Sequence, residues 1–327
     1  MKIAIIGPGI MPIPPTGWGA VEILIHDIRC ALEDLGHTVH IVNVRDKNEI
    51  IRQTNNLDVD FVHVQYDEHI DVVPHLKCKH VAITSHYGYF EQPNRWDGGY
   101  KRIASSFLTT DVNIFALSPG IANLYKALAR ANAGNIHPSY SDDRVHVVHN
   151  GVRDDLFRFS KECKFPNRTI YLAKVDYRKR QHIFQSIPGL YFAGNIADNR
   201  FNQNSERYLG EWSKEHLYQN LTDYANLALL SDGEAHPLVC VEALSAGLGL
   251  VLSEFACANL DLSLPFIDVI PESQINNIPY VQRVLKENAA KSVPMREKIK
   301  EYGTSFSWKN VVKNSYVPTV ERVIGGL

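Results

Sequence analysis

The stretch GEAHPLVCVEALSAGLGLVLSE, residues 233–254, reads as a loop, a helix and a buried strand in immediate succession. Pro237 suits the first turn of a helix, where its missing N–H is not needed, and Gly247 suits the position just past the end. The helix is therefore expected from about Pro237 to Ala246. LGLVLS then supplies a short, continuously apolar run, the pattern of a strand buried on both faces of a parallel sheet. Glu234 falls on the loop before the helix and Glu242 just over one turn inside it. The backbone N–H groups of the first turn, near Leu238 and Val239, have no partner within the helix and form an anion site. One carboxylate on either side of that site is placed to accept hydroxyl hydrogen bonds. Equally, Glu234 reads as an ordinary partner of the helix dipole and Glu242 as a solvated helix residue. The two glutamates alone leave both readings open.

The same alternation runs outward in both directions. KIAIIG, HTVHIVNV, DFVHVQY, HVAITSH, NIFALS and VHVVHNG precede residue 151, separated by amphipathic stretches such as VEILIHDIRCALEDLG. TIYLAKV, LYFAGNI, NLALLS, LGLVLS and FIDVI follow. Short apolar, β-branched runs between helical patterns are buried parallel strands with crossover helices. The expected fold class is α/β, with two Rossmann-like, doubly wound parallel-sheet domains facing a cleft, where the strand C-termini of such sheets hold ligands. The expected domains are residues 1–151, residues 152–306 and a C-terminal helix, 307–327, returning to the first domain. That tail, GTSFSWKNVVKNSYVPTVERVIGGL, carries Ser305 or Ser307 as a helix cap and an expected break near Pro318.

Bulk properties narrow the function. At 327 residues the chain suits two domains, and 45% hydrophobic with 21% charged residues describes a globular protein. A formal charge of -2 and the lack of a basic stripe interleaved with aromatics argue against nucleic acid. Five cysteines without a Cys-x-x-Cys pair argue against a disulfide framework or a zinc site and for a cytoplasmic setting. No apolar run reaches the roughly 18 residues of a membrane span. The start, MKIAIIGPGIMPIPP, reads as a first strand rather than as a signal peptide. Residues 1–150 carry 13 Lys and Arg against 16 Asp and Glu, which gives membrane association no support from charge.

Three other motifs aim at the same chemistry. LAKVDYRKRQHI puts Lys174 and Lys179 five residues apart at the end of the first strand of the second half, where two cations neutralise a diphosphate. Lys174 interrupts the apolar strand, while Arg178, Lys179 and Arg180 also read as a solvated basic turn. GPGIMPIPPTGWGAVE follows the first strand and brings Gly17 and Gly19 to the start of a helix, where glycine lets backbone approach a ligand. Its spacing is not the dinucleotide fingerprint, and no acidic residue ends the second strand, so hydride transfer is disfavoured. His86 closes HVAITSH, and a histidine at a strand terminus of a doubly wound sheet is a site candidate. His236 and His149 flank the expected pocket, His149 reading equally as packed. The loop from Tyr87 to Tyr100 is aromatic-rich and reads either as a sugar-stacking surface or as buried loop anchors.

As an ordered set these residues resemble the retaining glycosyltransferases of the GT-B fold, family-four type, also called glycosyltransferase group 1. Glu234 and Glu242 resemble the Glu-x7-Glu motif, and Lys174 and Lys179 the Arg-x4-Lys phosphate pair. The Pro-Pro-x-Gly-x-Gly loop, His86, SPGIANLY, HNGV, YLGE at residues 208–211 and the tail FSWKNV fall in the family's order, over nearly the whole chain. The chain departs at Lys174, where the family has arginine, at Ala235-His236, where it has Gly-Phe, and at Arg153, where aspartate is common.

The resemblance implies transfer of a hexose from a UDP- or GDP-sugar to a hydroxyl acceptor, with retention. The second half would bind the donor and the first half the acceptor. Glu242 would bind the ribose hydroxyls and Glu234 the sugar, while Lys174 and Lys179 hold the diphosphate. Gly17 and Gly19 would approach the phosphates, and His86 would orient the transferring sugar. His236, Pro237, Leu238 and Val239 complete the expected donor site. The nucleotide-sugar is a substrate, no cofactor is expected, and the lysines stand where others use a metal: Asp58-Val59-Asp60 precedes a strand instead of ending one. A glycan, a lipid-linked sugar and a protein all fit as acceptor. Two other readings stay open at this point, a nucleotide-sugar epimerase of similar architecture and a non-catalytic nucleotide- or carbohydrate-binding module.

Overall fold

The computed structural model describes residues 1–16 and 19–326. The chain divides into two compact units, Met1–Gly151 with Trp308–Leu327, and Val152–Ser307. Each of the eleven apolar runs read from the sequence forms a parallel strand.

In unit 1 the strands are β1 (Lys2–Ile6), β2 (Thr38–Val42), β3 (Phe61–Val64), β4 (Val81–Ile83), β5 (Asn113–Ala116) and β6 (Val145–Val147). They lie in the order β2-β1-β3-β4-β5-β6. The order reverses between β1 and β3, the place where a doubly wound sheet opens a ligand crevice at its strand C-termini. Ile3, Ala4, Ile5 and Ile6 are fully buried, as a strand covered on both faces must be. The crossover helices α1 (Ala20–Asp34), α2 (Lys47–Asn55), α3 (Gly98–Thr109) and α4 (Pro119–Ala131) start where the sequence offers caps. Asp46 accepts from the Glu49 N–H at 2.8 Å, Asp97 from Tyr100 at 2.7 Å, and Ser118 from Ile121 at 3.1 Å.

Unit 2 contains β7 (Phe165–Leu172), α5 (Gln181–Phe184), β8 (Leu190–Ala193), α6 (Lys214–Asn220), β9 (Tyr224–Leu229), α7 (Leu238–Ser245), β10 (Gly249–Ser253), β11 (Ile267–Ile270), α8 (Ile278–Ser292) and α9 (Arg296–Thr304). Its sheet runs β11-β10-β9-β7-β8, so its reversal lies between β7 and β9. All residues of β9 and β10 are buried. The helix read from residues 237–246 is α7, with Pro237 as its N-cap and Gly247 in the left-handed region at φ +82° just past its end.

The tail consists of α10 (Trp308–Val311), a π-helical segment (Val312–Tyr316) and α11 (Val317–Gly325). The expected break at Pro318 does not occur: the helix continues through it. Pro318 stands in the first turn after the wide π segment, where its missing N–H removes no bond of a regular α ladder. Among the described residues no helix is long and apolar enough to cross a membrane.

Candidate active site

In unit 2 the chain exits β7 and β9 side by side, and both exits carry the charges singled out from the sequence. Lys179 Nζ donates to Glu234 Oε1, with side-chain exposures of only 11% and 8%. Arg178 reaches the same carboxylate, its NH1 lying 3.0 Å from Oε2, and donates to the Gly233 carbonyl at 2.5 Å. Burial alone would raise the Glu234 carboxyl. The charges of Lys179 and Arg178, with the hydrogen bond from Lys179, more than offset it and hold the group below its usual range.

The two exit loops are fixed to each other before any ligand arrives. Asp176 accepts from the Lys179 N–H at 3.0 Å, and the Asp232 N–H donates to the Arg178 carbonyl at 2.9 Å. The buried Tyr171 hydroxyl accepts from the Leu230 N–H at 2.9 Å and donates to the Lys179 carbonyl, gripping one loop with each half of its hydrogen-bonding capacity. Arg180, at φ +58°, donates to the Leu230 and Ser231 carbonyls at 2.8 and 2.7 Å and forms a fork with Glu272 at 2.8 and 3.0 Å.

Lys174 stands differently from its expectation. β7 ends at Leu172, so Lys174 does not interrupt the strand but lies two residues beyond it, exposed, in no ion pair among the described residues. Glu242 is buried in the second turn of α7 and accepts from Lys214 Nζ at 2.8 Å. His236, Pro237, Leu238 and Val239 follow Glu234 on the same loop and helix start, His236 buried with its ring 6.5 Å from that of Phe306. The first N–H groups of α7, at Leu238 and Val239, have no acceptor within the helix.

In unit 1, His86 lies three residues past β4, half-buried, and its Nε2 is 2.8 Å from Gln65 Oε1. Desolvation pushes its imidazole down to about 4, so it is neutral at pH 7. Gly19 is the N-cap of α1, and a Cβ there would come within 2.7 Å of Glu22 Oε2 and 3.0 Å of Met11 Sδ, so a larger residue would have to displace those two side chains. Gly17 lies outside the described residues. His149 is half-buried, and its Nδ1 is 2.9 Å from the Asn150 carbonyl. The aromatic loop resolves toward anchoring. Phe90, Trp96 and Tyr100 are buried, Phe90 packing on Trp96 at 5.4 Å and on Tyr125 at 4.5 Å, so these rings are not the sugar-stacking surface that was one expectation for them.

No family model and no curated protein matches the chain. Solved structures do. AviGT4, a glycosyltransferase involved in avilamycin A biosynthesis, is 18% identical with a TM-score of 0.71, over 100% of this chain and 99% of its own. Anabaena HepE, in complex with UDP and glucose, is 13% identical with a TM-score of 0.70, over 100% of both chains. Sucrose-phosphate synthase from Thermosynechococcus elongatus is 13% identical with a TM-score of 0.73, over 100% of this chain and 99% of its own. The chain has the GT-B fold.

In GT-B terms, the glycine-bearing loop after β1 belongs to unit 1 and the Glu-x7-Glu stretch to unit 2. Several residues around them escaped the sequence reading. Lys214, Arg178, Tyr171 and Arg180 shape the unit 2 site, and Asn43 and Glu22 hold the unit 1 loop. Asn43 Oδ1 accepts from the Gly9 N–H at 2.8 Å, Asn43 Nδ2 donates to the Met11 carbonyl at 2.8 Å, and Glu22 Oε1 accepts from the Met11 N–H at 3.2 Å. The available signals were a polar residue ending an apolar strand at Asn43 and an acidic one in the first turn of α1 at Glu22.

Proposed function

We propose that the protein is a retaining glycosyltransferase that moves a hexose from a UDP- or GDP-sugar to a hydroxyl of an acceptor, another sugar being the best fit. The observation that carries this reading is the Lys179–Glu234 pair at the β7/β9 reversal, with Arg178 on the second carboxylate oxygen and Lys174 exposed on the same β7 exit. Two cations on one carboxylate leave one positive charge in surplus, and Lys174 adds another. The α7 N-terminus contributes N–H groups at the same strand ends. That is a site for a diphosphate, and HepE, of the same fold, binds UDP.

Loss of the diphosphate from an oxocarbenium-like sugar is the barrier, and positive groups already in position stabilise the charge developing on the leaving oxygen. Lys174, Arg178 and Lys179 supply that charge in place of a metal ion. Glu242 takes the ribose hydroxyls, and Glu234, held ionised, takes a sugar hydroxyl. In unit 1, His86 orients the sugar, and Gly19 admits phosphate oxygens close to backbone. Because both Glu234 oxygens face cations, its nucleophilicity is damped, and a double displacement through it is disfavoured. The acceptor instead attacks from the face the diphosphate leaves, and a leaving phosphate oxygen takes the acceptor proton.

Incubation with a panel of UDP- and GDP-sugars tests the reading, with donor hydrolysis and thermal stabilisation as readouts for wild type and Glu242→Ala. At least one donor should stabilise and be hydrolysed by wild type only. Failure of the whole panel to bind sinks the donor site, and binding without turnover would favour a non-catalytic module.

A further inference from the structure

The C-terminal ends of β3 and β4 in unit 1 are joined by a row of hydrogen bonds with a definite direction. His86 Nε2 lies 2.8 Å from Gln65 Oε1, Gln65 Nε2 lies 3.2 Å from His63 Nδ1, and His63 Nε2 lies 2.9 Å from Thr84 Oγ1. Gln65, His63 and Thr84 are buried. An amide oxygen only accepts and an amide nitrogen only donates, so each contact fixes the proton on the next ring. His86 must donate from Nε2, and His63 must accept at Nδ1, leaving its own Nε2–H for Thr84. The Tyr316 hydroxyl, 3.1 Å from His63 Nδ1, then donates to the same lone pair.

We infer that Gln65 is a positioning residue that, backed by His63, holds His86 as the Nε2–H tautomer and so presents its Nδ1 as a hydrogen-bond acceptor for a substrate hydroxyl. His86 Nδ1 has no hydrogen-bond partner among the described residues, so its lone pair is open to a ligand. Desolvation keeps both rings neutral at pH 7, His86 down to about 4 and His63 down to about 3, which the tautomeric assignment requires. An acceptor nitrogen pairs with a hydroxyl donor and repels an anionic oxygen, so the group His86 meets is a sugar hydroxyl and not a phosphate. This part of the inference rests on the proposed glycosyl transfer; the tautomer does not.

The test is nitrogen-15 NMR of the full chain labelled at histidine, with the two rings assigned by the signals lost in His86→Asn and His63→Gln. Both should show a protonated Nε2 and a lone-pair Nδ1. The reverse pattern, Nδ1–H on both, means that the Gln65 amide is turned round and overturns the inference. Gln65→Leu should scramble the His86 tautomer and lower kcat for donor turnover at least about tenfold with little change in nucleotide affinity. Gln65→Glu, which keeps an acceptor for His86 Nε2–H, should restore the His86 pattern and much of the turnover, a rescue that a purely structural role would not give. An unchanged His86 signal and unchanged turnover in Gln65→Leu defeat the inference. Wild type with the expected tautomers but no binding of any nucleotide-sugar removes the hydroxyl assignment and the donor-site reading together, and leaves the Gln65 relay standing.

Discussion

Lys179 and Glu234 leave adjacent strands on different loops and meet as a nearly buried ion pair that ties the exit of β7 to the exit of β9. Their positions 55 residues apart in sequence become neighbours only because the sheet reverses there. A carboxylate so held stays ionised, and in the proposed function its two cations also serve the donor diphosphate. Lys179→Ala should lower kcat/KM for donor turnover about 100-fold or more, as removal of a preorganised donor does. It should also cost up to about 3 kcal/mol of stability, because a buried carboxylate loses one of its two partners. Steady-state kinetics and urea unfolding measure the two separately, and an undiminished kcat/KM would remove Lys179 from the chemistry.

Glu242 has one oxygen on Lys214 and sits in the turn of α7 that follows the free N–H groups. Glu242→Ala is expected to weaken UDP or GDP binding by about 10- to 100-fold, the worth of a charge-assisted hydrogen bond of about 1.5–3 kcal/mol. Calorimetric titration gives the number. Lys214→Ala should change affinity less, since it leaves the carboxylate in place.

Stability should fall on acidification as desolvated histidines of unit 1 resist protonation. The imidazoles of His63 and His86 are lowered from 6.5 to about 3 and about 4, whereas the unfolded chain binds protons there from pH 6.5 downward. The unfolded state therefore takes up more protons across the window from about pH 6.5 to 4, so stability is complete above it and lost as pH falls through it. Glu234, also lowered, adds a further loss below its ordinary value of 4.5. Melting temperatures from pH 8 to 4.5 check the first effect: His63→Phe should flatten the curve in that range, and an equally steep curve in the variant would count against it.

Arg180 joins two carbonyls of the β9 exit to Glu272. Arg180→Ala should destabilise unit 2 by about 2–3 kcal/mol, because two carbonyls and a carboxylate lose a charged donor. Denaturant unfolding should show a shifted midpoint. A midpoint unchanged from wild type would mean that the fork is dispensable.

Intact mass spectrometry during donor hydrolysis should show no glycosyl adduct on the protein. Turnover should survive a chelator, because lysine and arginine charge replaces a metal in the proposed chemistry. An adduct on Glu234 would establish a double displacement instead.

The strands were legible because a parallel strand covered on both faces needs an uninterrupted apolar run, and each run quoted from the sequence lies in one. The helix at α7 was legible for the same local reason, Pro237 before it and Gly247 after it. What escaped depends on pairing across the sheet. Arg178 reads as one more surface charge until the β7/β9 reversal sets it against Glu234, and Lys214 lies 28 residues from the carboxylate it holds. The aromatic loop was ambiguous because Phe90, Trp96 and Tyr100 have the same composition whether they face sugar or core; only their packing on Tyr125 and each other decides. Pro318 was misread because a π-helical turn ahead of it cannot be seen in the residue types.

The contact between His63 and Tyr316 spans 253 positions, because unit 1 is made from both ends of the chain while unit 2 is one uninterrupted stretch between them. The segment that covers β3 is thus synthesised only after the whole of unit 2. A chain cut after residue 307 would keep every strand of the second sheet and leave the first without its cover, with His63 and Phe115 open to whatever chaperone surveys exposed hydrophobic surface.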